Sequence, residues 1–354
     1  MRPRLVLLVL DGFPLRHCTP GIAPNLSALA VDGACAPTGG RAVLPSSTYP
    51  NHASLATGVE PVRHGIYANN TFTETGVRPA QEVGARGVTF LDAARAMGLS
   101  TAVVVGDAKI LGVVGASRCD AHWPPGGVLP AGTPTIRGYA ANAAPFAALI
   151  EVLDGGADVV LCQLDNTDGL AHQHGPDSPE ARTGYTDADA LVGNLIDRLR
   201  SGARWHETVV GIVSDHGQIT ADLSLPPIDL PQSLARAGIA AEVIEEGSGA
   251  LIRTSDVAAA KRVIETIDGV AGHHAFAPGI LYVHARAGRG FATRKAMPRG
   301  IHGCPATTET VCIAVGGHAG LARIAAAFAA SPPTSATVPR ILASGAGLRF
   351  DAPT

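Results

Sequence analysis

The chain has no CxxC pair, no apolar stretch approaching the roughly 18 residues of a membrane span, and no excess of basic charge. Each absence closes off a class. The six cysteines, Cys18, Cys35, Cys119, Cys162, Cys304 and Cys312, are scattered. Neither a disulfide framework nor a zinc knuckle is indicated, and thiols in a reducing compartment fit better. Cys304 stands two positions after His302, where a place at the rim of a site is open to it. A formal net charge of −3 and a pI near 6.5 leave no wide basic footprint for a nucleic-acid polymer. A small phosphate-bearing ligand stays compatible, because metal ions can carry the positive charge. The opening MRPRLVLLVLDGF has a basic start and an apolar run, but the run ends in Asp-Gly without a small-residue cleavage site. It reads as a buried strand rather than a signal peptide. The expectation is a cytoplasmic protein that neither enters a membrane nor binds a nucleic-acid polymer.

What is present is the material of a large core: 354 residues, 46% hydrophobic and only 16% charged, enough for one large domain or a domain with an insertion. Short, continuously apolar runs alternate with longer amphipathic stretches. The runs predict strands at Leu5–Leu10, Ser100–Val105, Asp158–Leu164, Thr208–Ser214 and Thr310–Val315. The stretches predict helices at Ala23–Asp32, Tyr49–Thr57, Thr89–Ala96, Phe146–Leu153, Thr183–Ser201 and Leu321–Ala330. Continuous hydrophobicity means strands covered on both faces, hence an α/β fold with a mostly parallel central sheet between helical layers. Residues 219–300 read differently, with Pro punctuation, a hairpin pattern and one amphipathic helix: a small α+β cap inserted into a core of residues 1–218 and 301–354. The ending, from SPPTSATVPR onward, shows little periodicity and is expected to be an extended tail.

Ligand-type residues cluster where strands should end, and in such sheets ligands gather beyond the carboxyl ends of the strands. Asp11 follows VLLVL, Asp168 and His172 follow VVLCQL, Asp215 and His216 follow VVGIVS, and His302 lies in RGIHG. Asp168 and His172 are four apart and so share a helical face. Asp215-His216-Gly217 is a tight turn able to clear a bound ion. Asp165 and His174 are nearby decoys. His17, His52, His64, His122, His206, His273, His274, His284 and His318 have no comparable setting. In PSSTYPNHASLATG, Thr48 precedes a helix start, where free N–H groups and the helix dipole favour an incoming phosphate and lower a hydroxyl's pKa. A cation would lower it further. Asn69 in HGIYANN can offer its amide to a phosphate oxygen. Tyr49 and Phe72 are candidates to stack on a nucleobase or simply to pack.

Together these segments resemble the alkaline phosphatase superfamily, and within it the nucleotide pyrophosphatase/phosphodiesterase branch. The matching pieces are LVLDGF, PSSTYPNHASLATG, HGIYAN, DGLAHQHGP, SDHGQ and IHG, in the family's order over residues 5 to 303. The resemblance implies two zinc ions, one held by Asp168, His172 and His302, the other by Asp11, Asp215, His216 and Thr48. Thr48 would attack phosphorus in line and carry a phospho- or nucleotidyl-threonine intermediate, with Asn69 on a non-bridging oxygen. The implied partner is a small phosphate- or phosphonate-bearing substrate, a nucleotide among the candidates. Absence of a CxPxR motif argues against a sulfatase. Two departures are Ala171 where the family usually has Gly, and CPATTE after IHG. Phosphonoacetate hydrolases share the Thr-x-Pro-Asn and HGI-x-x-Asn pieces, and Lys109 lies where such an enzyme holds a substrate carboxylate. Phosphonate or phosphomonoester cleavage is therefore the alternative reading. A non-catalytic metal- or phosphate-binding protein is the rival from another class, although a binding module needs no nucleophile.

Overall fold

The computed structural model describes residues 2–292 and 296–350. Its centre is a seven-stranded sheet in the order Ala34–Cys35, Cys312–Gly316, Thr208–Val213, Arg4–Leu10, Val159–Leu164, Thr101–Val105, Ala121–Trp123. The five strands from Thr208–Val213 to Ala121–Trp123 run parallel, and Cys312–Gly316 is antiparallel to its neighbours. The strands inferred from apolar runs are all present, with ends moved by one or two residues. The last begins at Cys312 because Glu309–Thr310 pairs instead with Gly40–Arg41.

Both sheet faces are buried, which is why the strands carry no polar alternation. Leu5, Leu7 and Val9 point to one layer, with Val103, Val159 and Leu161 beside them. The helices Thr48–Thr57, Phe90–Ala96, Leu321–Ala330 and Val338–Ala346 contribute to that layer. Val6, Leu8 and Leu10 point to the other, covered by Pro24–Asp32, Ala143–Asp154 and Pro179–Ser201. Several helices start on side-chain caps: Thr89 forms a capping box with Asp92, and Ser178 accepts from Ala181 N–H.

The C-terminal segment is not an extended tail. Val338–Ala346 is a helix, and Val338, Leu342, Ala343 and Ala346 are buried in the core. Val338, Leu342 and Ala346 recur every four residues and give the helix an apolar face that the Pro- and Ser-rich run before it obscures. Gly211, mid-strand, leaves the space that Leu342 occupies: a Cβ there would collide with the leucine.

Residues 230–285 build a four-stranded antiparallel sheet, Glu242–Glu246, Gly249–Arg253, Ile280–Ala285 and Val270–Ala277, with the helices Leu230–Arg236 and Val257–Ile264. It has its own core around Leu230, Leu234, Ile252, Leu281 and Val283. The chain leaves through Ile219–Thr220 and returns through Gly300–Ile301, which pair with each other. Among the described residues no helix is long and apolar enough to cross a membrane.

Leu342→Ala should lower unfolding stability by about 2–4 kcal/mol through the cavity it leaves. Ser344→Ala, on the exposed side of the same helix, should stay within about 0.5 kcal/mol. Urea midpoints of the two variants decide whether the helix belongs to the core.

Candidate active site

Thr48 opens the helix Thr48–Thr57, with Ser47 extended before it (φ −132°, ψ 166°). Asn51 clamps this start. Its Oδ1 accepts from Val43 N–H (2.8 Å) and Ser335 Oγ (2.7 Å), while its Nδ2 donates to Ser47 O (2.9 Å). The loop is thereby held against the helix, and the Thr48 hydroxyl lies 3.2 Å from His216 Nε2.

The parallel strands deliver the acids. Asp11 comes directly off Arg4–Leu10, and Asp215 and His216 come just past Thr208–Val213. Asp168 and His172 share the helix Asn166–His174 that follows Val159–Leu164. Gly12 adopts φ +65°, and a Cβ there would lie 2.9 Å from Asp168 Cβ, so only glycine lets the Asp11 turn and the Asp168 helix approach. Each carboxylate has one oxygen tethered. Asp215 Oδ1 accepts from the N–H groups of Gly12 (3.0 Å) and His216 (2.9 Å). Asp11 Oδ2 accepts from Gln163 Nε2 (2.7 Å), and Asp168 Oδ1 from Gln218 Nε2. The other oxygens of Asp11 and Asp215 are buried with no hydrogen-bond partner among the described residues.

The imidazoles follow the same plan. Nδ1 of His172, His216 and His302 meets the carbonyls of Gly300 (2.7 Å), Gly217 (3.1 Å) and Ser46 (3.1 Å). A carbonyl only accepts, so Nδ1 carries the proton and each Nε2 presents a lone pair. The Nε2 atoms of His172 and His302 face each other at 3.2 Å, and Asp168 Oδ2 is 3.3 Å from His172 Nε2. Lone pairs and unpartnered oxygens turned on one another are the donor set of a cation. Among the described residues, three groups have ligand atoms within 4.8 Å of one another: Asp168–His172–His302, Asp11–Asp168–His216 and Asp11–His52–Asp215.

The electrostatics agree. Burial, then Asp215, Asp168 and Asp165, pushes Asp11 well above the usual carboxylate range, and burial with Asp168 does the same to Asp165. Asp215 falls below its ordinary value although burial opposes this, because His216, His52 and the Gly12 N–H together outweigh burial. Burial, His216 and His172 hold His302 well below the usual imidazole range. Bound cations would answer the same charge imbalance.

All the residues inferred as ligands, with Thr48, are thus brought together, and Asn69 shares a cavity of about 140 Å³ with Thr48, Asp168, His172 and His302. Other expectations need correction. His52, read as an ordinary core or surface histidine, is fully buried in the cluster. Its Nδ1 sits 2.9 Å from Thr48 O and 3.4 Å from Asp215 Oδ2. Its spacing of four from Thr48, one helical turn, was the available signal. Asp165 is no bystander: it lines the cavity and shares Gln163 with Asp11. A lone glutamine in the apolar run VVLCQL was the clue to that bridge. Asp107, Arg137 and Tyr139 also line the cavity, and nothing in their sequence setting marks them. Phe72 lies elsewhere, under the Arg253 guanidinium (4.8 Å from the ring centroid) beside Ile244 and Tyr282. Tyr49 does line the cavity, with its hydroxyl donating to Asp107 (2.7 Å). Lys109 rests near the Tyr139 ring (5.8 Å) and is not a lining residue. Cys304 is buried, and its carbonyl accepts from the Ser46 and Thr307 hydroxyls.

The inserted unit grips this site. Its Glu246 carboxylate accepts from Asn69 N–H (2.8 Å), and Ser248 donates to His302 O through N–H (2.7 Å) and Oγ (2.9 Å). Tyr282 donates its hydroxyl to Gly303 O (2.5 Å).

A doubly covered sheet with an Asp/His cluster and a hydroxyl-led helix at its strand ends is the architecture of the alkaline phosphatase superfamily. Within it, the chain belongs to the type I phosphodiesterase / nucleotide pyrophosphatase family, whose model matches residues 5–275. An uncharacterised pyrophosphatase/phosphodiesterase of Schizosaccharomyces pombe is 27% identical over 227 residues, 60% of this chain and 44% of that protein. A bis(5'-adenosyl)-triphosphatase of Xenopus laevis is 25% identical over 224 residues, 61% of this chain and 47% of that one. The chain thus spans less than half the length of these relatives. Murine ectonucleotide pyrophosphatase/phosphodiesterase 5 shares the fold, with a TM-score of 0.74 at 16% identity over 98% of this chain and 96% of that one. An inactive form of it in complex with AMP gives 0.75 at 16% identity, over 99% and 96%.

Glu246 links the inserted unit to pH. Burial pushes its carboxyl up from 4.5 to about 7, with the Asn69 N–H pulling the other way. Above pH 4.5 the unfolded chain releases this proton before the folded one does. Stability from this group is therefore complete below pH 4.5 and is lost as pH rises through about 7, by on the order of 3 kcal/mol. Glu246→Gln, which keeps the acceptor without the charge, should gain on the wild type between pH 5 and pH 8 in thermal melts. An unchanged gap across that range would show that the carboxylate is not buried as described.

Proposed function

We propose that this protein is a two-zinc phosphohydrolase that cleaves a phosphodiester or nucleotide pyrophosphate-type bond with Thr48 as nucleophile. One observation carries the reading: the Thr48 hydroxyl, at a helix N-terminus, lies 3.2 Å from His216 Nε2 inside the buried Asp/His cluster. Asp168, His172 and His302 would hold one ion and Asp11, Asp215, His216 and Thr48 the other. When bound, the ions supply Lewis acidity that favours an ionised nucleophile and neutralises charge on the phosphoryl oxygens. Zinc suits a mixed nitrogen and oxygen donor set.

The chain's own residues do the rest. The Thr48 oxygen bonds to phosphorus as the bond to the leaving oxygen breaks, and the hydroxyl's proton passes through solvent to the leaving oxygen. Water then cleaves the Thr48 ester, giving the second product and restoring the hydroxyl. Free N–H groups of the first turn of Thr48–Thr57 favour the anionic substrate. Asn69, anchored by Glu246 and by Ala80 N–H on its carbonyl (3.1 Å), offers its amide to a non-bridging oxygen. The cavity of about 140 Å³ admits the reacting end of a phosphate ester, and the remainder must extend outward. A nucleotide is supported as substrate by the Xenopus relative's name and by the AMP complex of the murine protein. The carboxylate-bearing phosphonate reading loses its main support, because Lys109 does not line the cavity. Six unpaired cysteines support a cytoplasmic setting.

With zinc added, the wild type should hydrolyse bis-p-nitrophenyl phosphate, and Thr48→Ala should lower kcat by at least about 10³-fold while keeping its zinc. His302→Ala should cut the bound metal from two equivalents to one, read by elemental analysis. Loss of all metal in Thr48→Ala would mark that residue as structural and end the nucleophile assignment.

A further inference from the structure

Among the described residues, Arg137 is the one permanently charged cation that lines the reaction cavity, which three aspartates, Asp107, Asp165 and Asp168, line as well. Its guanidinium has no hydrogen bond or ion pair with any of them, nor with any other described residue.

The backbone that presents it is unusual. Arg137 and Gly138 form the tip of a hairpin between Thr135–Ile136 and Tyr139–Ala140, with φ of +54° and +90°. Arg137 is the only described residue other than glycine with positive φ. Two consecutive positive φ values ordinarily select Asn-Gly or Gly-Gly, and a long β-carbon-bearing side chain is disfavoured in that position. Strain of this kind persists where surrounding structure enforces it. The enforcement is visible. Ala140 N–H donates to Gly106 O (3.0 Å) at the end of the Thr101–Val105 strand. Asn142 and Asn166 exchange backbone-to-side-chain bonds (3.0 and 3.1 Å), which pins the hairpin to the helix that carries Asp168 and His172. Ile136 packs over Gly169 of that helix so closely that a Cβ would lie 3.0 Å from its Cγ2. The hairpin backbone is therefore anchored to the helix that carries Asp168 and His172, and it presents a free guanidinium beside them.

We infer that Arg137 is a specificity-determining residue that binds a second anionic group on the leaving side of the substrate, the terminal phosphates of a pyrophosphate linkage. A planar, permanently charged fork matches a phosphate's oxygens two at a time. An acid-lined cavity without it would repel such a leaving group. The inference rests on the functional reading above and adds to it: the preferred substrates are pyrophosphate-type rather than simple diesters. A carboxylate would offer the same chemistry to the guanidinium, so phosphonoacetate forms a separate arm of the test.

The decisive comparison uses two substrates with the same transferred nucleotidyl group and different leaving groups, dTTP and the p-nitrophenyl ester of thymidine 5′-monophosphate. For Arg137→Met in the zinc-loaded enzyme, the ratio of kcat/KM for dTTP to that for the ester should fall roughly ten- to hundredfold, mainly through KM. Arg137→Lys should restore part of it, which a merely structural role would not. A ratio unchanged within about threefold, or equal losses on both substrates, overturns the inference while leaving Thr48 chemistry standing. Turnover of phosphonoacetate that depends on Arg137 more strongly than turnover of dTTP would overturn the assignment to phosphate. If the wild type turns over neither nucleotide, the functional reading fails. Arg137 is then judged by calorimetric titration of inorganic pyrophosphate into zinc-loaded Thr48→Ala protein, with and without Arg137→Met. About tenfold weaker binding in the double variant supports it, and equal affinity ends it.

Discussion

Four buried aspartates, Asp11, Asp165, Asp168 and Asp215, converge beyond the ends of adjacent strands, and their mutual repulsion is the constraint on which the site depends. Carboxylates at this depth are tenable only if protons, hydrogen bonds or cations answer their charge. The fold supplies the hydrogen bonds on one oxygen of Asp11, Asp168 and Asp215. What remains is a set of inward-facing oxygens and imidazole lone pairs. That remainder is the reason for reading a metal centre here instead of a network of structural ion pairs.

Orientation of the ligands is settled by groups with no part in the chemistry. Three backbone carbonyls choose the histidine tautomer, Gln163 and Gln218 turn two carboxylates, and Asn51 holds the loop before Thr48. Such preorganisation fixes the place of the Thr48 hydroxyl within the cluster. His52 belongs to the same scheme, since its Nδ1 meets the Thr48 carbonyl and stands 3.4 Å from Asp215 Oδ2.

The inserted unit is coupled to the centre through backbone contacts. Its turn at Glu246–Ser248 secures Asn69 and the His302 carbonyl, and its sheet seats Tyr282 against Gly303. A Cβ at Gly247 would lie 2.6 Å from the His302 carbonyl, so that turn must be free of a side chain to come so near. Among the described residues, none between 221 and 299 lines the cavity, and this unit acts on the chemistry by holding its neighbours.

Local pattern was enough to read the strands, most of the helices, and which acids and imidazoles from Asp11 to His302 stand near the strand ends, because a doubly buried strand and a residue at its tip leave marks within a few positions. The C-terminal helix was missed although Val338, Leu342 and Ala346 mark an apolar face, because the Pro- and Ser-rich run before them reads as a tail. Only the partner surface, Gly211 accommodating Leu342, makes it a helix of the core. Asp107, Asp165 and Arg137 come from the ends of two strands and from a hairpin tip, far apart along the chain. Composition and periodicity thus determined the layered sheet and which side chains stand at its strand ends. Tertiary structure alone decided which oxygen of each acid is free, which histidine joins them, and which cation faces the reacting group. Those outcomes depend on contacts between segments from 24 residues apart, as at Asn142–Asn166, to 203 apart, as at Gly12–Asp215, and a local pattern can at most hint at them.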